Sequence, residues 1–121
     1  MVLATLVTVA CASTQSSTSD AASAIDSDFR DLGSRNGNYS VMYMAAPYAD
    51  VGDLSAVLLR GFGVAYQLSS SDETLIVILL DGGFSNLVLH QVSTSVYGSY
   101  LLGSLSDADL IASVIQTRAS Q

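Results

Sequence analysis

Lysine is absent from this chain of 121 residues, and cysteine, histidine and proline occur once each, as Cys11, His90 and Pro47. A single cysteine rules out an intramolecular disulfide and any cysteine-based metal cluster; with a single histidine it also excludes multi-histidine and Cys/His zinc sites. Only a carboxylate-rich metal site stays open, and it needs aspartates brought together by the fold. No metal or other cofactor is expected. Basic charge is scarce too: four arginines face eleven acidic residues, all aspartate except Glu73, for a formal net charge of −7. Such a balance repels nucleic acid and anionic membrane surfaces, so neither is expected as an electrostatic partner. There is no G-x-S-x-G elbow to single out a nucleophilic serine. Gly61-Phe62-Gly63 neither follows a strand nor opens a helix, so it is no phosphate loop.

What is present begins with residues 1–12, MVLATLVTVACA, which are apolar and uncharged. They have the length of a signal-peptide core and are far too short to span a membrane. The stretch Thr8-Val9-Ala10-Cys11 resembles the lipobox of exported lipoproteins, in which small residues precede a cysteine that is lipidated and becomes the mature N-terminus. Thr8 stands where leucine is usual, and no basic residue precedes the apolar stretch. The resemblance implies export, lipidation at Cys11 and attachment to a membrane at the cell surface or envelope. Residues 13–24 are rich in Ser, Thr and Ala and offer no large apolar side chain to bury, as expected of a flexible tether. One acyl chain anchors weakly, so stable attachment calls for a diacyl modification.

Residues 25–121 form one small mixed domain in this reading, enough for a modest single core. Ile25, Phe29 and Leu32 share one face of a short predicted helix over residues 24–32. Asn36-Gly37 marks a turn, and Asn38-Tyr39-Ser40 is a glycosylation sequon, meaningful in a host that glycosylates exported proteins. Residues 39–45 alternate as a first strand, which Pro47 closes. Leu54, Val57, Leu58, Gly61, Ala65 and Leu68 then fall at helical spacing behind the capping residues Asp50 and Asp53. Glycine within a helix costs about 1 kcal/mol relative to alanine, so Gly61 and Gly63 point to close packing on a strand.

The longest apolar run, residues 75–80, is rich in β-branched side chains and suits a strand covered on both faces. Asp81-Gly82-Gly83 turns it into a second strand over residues 87–92, forming an antiparallel hairpin at the centre of the fold. A helix carrying Val96, Tyr97, Tyr100 and Leu101 follows, capped by Ser93 or Thr94 and stopped at Gly103. Ser106 starts another, with Leu110, Ile111, Val114 and Ile115 as its buried stripe and Arg118 in its last turn. The sum is an α/β (α+β) two-layer sandwich of about three strands with two to four helices packed on the sheet. The first two strands are joined as a parallel crossover. An open sheet edge offers a protein partner a place to pair.

Two residues stand out for chemistry. Asp81 ends the central strand ahead of two glycines, where active-site carboxylates occur in α/β folds, although Asp-Gly is also common turn chemistry. His90 lies well down the next strand, too far from Asp81 for a dyad, and reads as structural. The expected function is therefore an exported, lipid-anchored, non-catalytic binding or accessory domain of the cell envelope. The alternatives are a small carboxylate-dependent hydrolase or metal-dependent enzyme centred on Asp81, and a self-assembling surface subunit.

Overall fold

A computed structural model describes residues 20–81 and 86–120. The leader, Cys11, most of the Ser/Thr tract and the glycines of the central turn lie outside the described residues. The elements run α1 (Ala21–Ile25), β1 (Phe29–Arg35), β2 (Asn38–Tyr43), a 3-10 turn (Tyr48–Asp50), α2 (Leu54–Leu68), β3 (Thr74–Asp81), β4 (Asn86–Ser93), α3 (Thr94–Leu101), α4 (Asp107–Ala112) and β5 (Ile115–Ser120). The strands form one mixed sheet in the order β1-β2-β3-β4-β5. Helix α2 carries the crossover between the parallel strands β2 and β3; the other pairs are antiparallel.

Local chemistry sets most boundaries. Asn36 and Gly37 hold φ of 54° and 80°, the left-handed pair that a two-residue hairpin loop requires, and so bring Arg35 opposite Asn38. The Asp53 carboxylate accepts the Ala56 amide at 3.2 Å and starts α2, whereas Asp50 belongs to the 3-10 turn. Ser93 caps α3 through the Val96 amide, and Ser106 and Asp109 close a reciprocal capping box on α4. β3 and β4 pair from Thr74↔Ser93 to Asp81↔Asn86, the expected central hairpin.

The sheet has five strands, not three, and both additional strands lie at its edges. Residues 29–35 form β1 rather than the end of a helix. A bulge between Asp31 and Gly33 breaks the period-two pattern there, leaving the apolar spacing of Phe29 and Leu32 to imitate a helix. At the other end, α4 stops at Ala112, where the Ser113 amide and hydroxyl both turn back onto the Leu110 carbonyl. Ile115 is 58% exposed instead of joining a buried stripe, and Arg118 is a strand residue. Part of the stretch expected as a tether is structured: Asp20 caps α1, and Ala22 is fully buried.

All four described helices contribute to one core with a single face of the sheet. Val57, Leu58, Phe62 and Ala65 of α2, with Ala22, Tyr97 and Leu110 from the other helices, cluster with Tyr39, Val41, Leu75, Val77 and Leu79. Gly61 lets α2 close onto Val77 and Phe29, as its place within the helix implied. Strand alternation sends Ile76 and Ile78 to the other face, where they are 7% exposed but outside that cluster. The central run is thus covered by described helices on one face only.

The sheet's two edges differ. On β1, the Asp31 amide is taken by the Asp20 carboxylate at 2.9 Å and the Gly33 amide by Asp31 Oδ1 at 2.9 Å. These side chains occupy donors that a visiting strand would use. Asp31 Oδ1 also accepts the Tyr39 hydroxyl at 2.7 Å; burial, then that carboxylate, push the phenol's pKa upward. β5 lies at the opposite edge, with residues 115–119 exposed.

Candidate functional site

The β3/β4 register places His90 opposite Val77, while Asp81 pairs with Asn86 at the far end of the ladder. The two candidates therefore share the helix-covered face but lie apart along it. Arg118 comes to Asp81 instead, its Nη1 2.6 Å from Oδ2, with side-chain exposures of 55% and 29%. The Arg118 guanidinium also lies 5.1 Å from the centre of the Tyr48 ring.

His90 is 1% exposed and nearly parallel to Tyr48, the ring centroids 6.2 Å apart. Its Nδ1 is 3.2 Å from the Val77 carbonyl oxygen and its Nε2 is 3.0 Å from Gln116 Nε2. A carbonyl can only accept, so Nδ1 carries the proton and donates; Nε2 then accepts from the Gln116 amide, which also donates to the Tyr48 hydroxyl at 3.2 Å. Both ring nitrogens are engaged. Burial holds the His90 pKa below its ordinary value, the Val77 carbonyl opposes that shift, and the nearby Arg118 charge adds to it. The imidazole is a neutral pin joining β4, β5 and the 3-10 turn.

This arrangement predicts a pH dependence. The unfolded chain takes up a proton on His90 near pH 6.5, while the folded chain resists it until lower pH. The unfolded state then binds more protons, so stability falls as pH drops through about 6.5 and levels off below the folded pKa, by at most about 1.4 kcal/mol per pH unit. Urea midpoints at pH 7.5 and 5.5 should separate for the native chain and converge for His90→Gln. Equal separations in both would assign the effect to other groups. The Asp81–Arg118 pair should matter less: Asp81→Asn is expected to cost under about 1 kcal/mol in the same titration, because a half-exposed ion pair is screened by water.

Other carboxylates are also engaged. Arg60 lies 2.9 Å from Asp26 and 2.6 Å from Asp28, fastening the turn before β1 to α2. A cleft of about 570 Å³ between α2 and α4 is lined by Asp53, Leu59, Asp107 and Ile111 among others, yet Asp53 caps α2 and Asp107 accepts the Tyr100 hydroxyl at 2.7 Å. Among the described residues, no three or more His, Cys, Asp or Glu side chains group as a metal site, and no helix is long and apolar enough to cross a membrane. Asn38 of the sequon opens β2, a strand paired on both sides, and is half-buried. Cys11 lies outside the described residues.

Sequence reasoning missed Gln116 altogether and placed Arg118 on a helix. Reading residues 115–120 as a strand would have put both on one face, two apart, opposite His90 and Val88. The chain matches no protein-family model, and no curated protein or solved structure is significantly similar to it. The described residues form an α+β domain with a five-stranded mixed sheet and four helices.

Proposed function

We propose that this protein is an exported, non-catalytic binding or accessory domain of the cell envelope, attached to a membrane through a lipid on Cys11. The order of its front carries the reading: an apolar, uncharged stretch ending beside Cys11, then a Ser/Thr tract, then a domain that begins at the Asp20 cap. The eight residues between Cys11 and Asp20 would let the domain stand off an anchored cysteine by at most roughly 30 Å. Asp81 and His90 support the non-catalytic half, since Arg118, Val77 and Gln116 already engage them. Expression of the complete gene in an envelope-bearing host, followed by mass spectrometry of the mature N-terminus, tests it. A diacylated Cys11 as first residue is the expected result; a cytosolic chain that keeps Met1 and an unmodified Cys11 would overturn the reading.

A further inference from the structure

The sheet face opposite the helices is acid-free. Strand alternation and register assign it Arg30, Gly33 and Arg35 from β1; Ser40 and Met42 from β2; Ile76, Ile78 and Leu80 from β3. From β4 and β5 come Leu87, Leu89, Gln91, Ile115, Thr117 and Ala119. None of the eleven carboxylates is on it, although the chain carries a net charge of −7. The centre is an apolar band, Met42, Ile76, Ile78, Leu80, Leu87 and Leu89, in which Ile76 and Ile78 are 7% exposed and the rest half-buried; the edge strands flank it with polar or small residues and with the exposed Ile115. The described helices that share the core cluster pack on the other face of the sheet.

We infer that two copies of this chain pack against each other through this face, as a twofold-symmetric sandwich of two sheets. The inference deepens the binding reading above by naming the partner. Three observations favour a second copy. An acidic chain can meet itself without opposing carboxylates only on an acid-free surface, and this face is one. With the twofold axis along the strands, band meets band, and β1 of each copy lies over β5 of the other. Arg30 and Arg35 of the two copies then stand at opposite rims, and identically twisted sheets stack in the aligned manner of β-sandwiches. The size also suffices: five strands about 4.8 Å apart and about six residues long give a face of roughly 24 by 20 Å. Paired, that covers about 1,000 Å² over both copies, the size of a weak, reversible interface rather than of a permanent one.

Sedimentation equilibrium of the full chain over a wide concentration range tests this, with three single variants. Thr117→Glu and Ala119→Glu place a carboxylate on the face at positions of β5 that are already exposed, so neither threatens the core. Leu102→Glu places one on the helix side, at a residue 86% exposed. The expected result is a dimer whose dissociation constant rises at least tenfold in each face variant and stays unchanged in Leu102→Glu. Vesicle flotation and hydrogen exchange distinguish other users of the surface. A monomer, a dimer indifferent to the face variants, a dimer whose β5 amides alone gain protection, or a monomer that floats with phosphatidylglycerol vesicles until Thr117 is replaced would each overturn the inference. The N-terminal mass of Cys11 is read separately, so a monomer with a lipidated cysteine refutes the dimer and spares the envelope reading. A dimer with an unmodified, cytosolic chain does the reverse.

Discussion

Replacing Phe62 with alanine is expected to cost about 3–5 kcal/mol, the range for removing a fully buried aromatic ring from a packed core. Phe62 is 0% exposed and lies in the cluster that joins α2 to Val41, Leu75 and Val77. A domain of about 100 residues has roughly 5–15 kcal/mol in total, so this one truncation removes a large share of its stability. At about 4–8 °C per kcal/mol, the melting temperature should fall by more than about 10 °C. Leu102→Ala, at an 86% exposed position, should stay within about 0.5 kcal/mol of the native chain. Similar losses in the two variants, read by urea or thermal unfolding, would show that α2 does not pack on Val41, Leu75 and Val77.

The second large effect is steric. A Cβ at Gly61 would stand 2.7 Å from Val77 Cγ2 and 2.9 Å from Phe29 Cε1, both in side chains at most 1% exposed with nowhere to retreat. Alanine gains about 1 kcal/mol of helix propensity there but meets an overpacking cost of about 1–3 kcal/mol. Gly61→Val adds more volume and no comparable propensity gain, so it is expected to destabilise by more than about 2 kcal/mol. The sign should invert at Gly98 in α3, where a Cβ would meet only the Tyr66 hydroxyl at an ordinary 3.7 Å. Gly98→Ala should therefore stabilise by up to about 1 kcal/mol. A cycle combining Gly61→Ala with Val77→Ala checks the cause, since shortening Val77 should relieve part of the penalty; strict additivity would place the strain elsewhere.

Elements whose buried side repeats with a clean period were legible in the sequence. Residues 54–68 show the helical spacing and residues 39–43 the strand alternation because one side of each faces the core, while residues 74–81 mark a strand by an unbroken apolar run in which Leu75 to Leu79 are all buried. The edge strands were not legible. β1 carries a bulge, and β5 is exposed along residues 115–119, so no hydrophobic period is imposed on either. The His90 network was hidden for the same reason: two of its members, Gln116 and Arg118, belong to β5, and Tyr48 reaches it from a short 3-10 turn.

By itself, then, the sequence determined the central hairpin, the crossover helix with its Gly61 contact, and the caps at Asp53, Ser93 and Ser106. These follow from interactions within a few residues or from a repeat that one buried face enforces. Only the tertiary structure decided that β1 and β5 complete a five-stranded sheet, that Arg118 meets Asp81 and Gln116 meets His90 across 37 and 26 residues, and that all four described helices stack on one side. Those outcomes depend on which distant segments the strand ladder places side by side, and the polar partners involved leave no periodic mark on the chain.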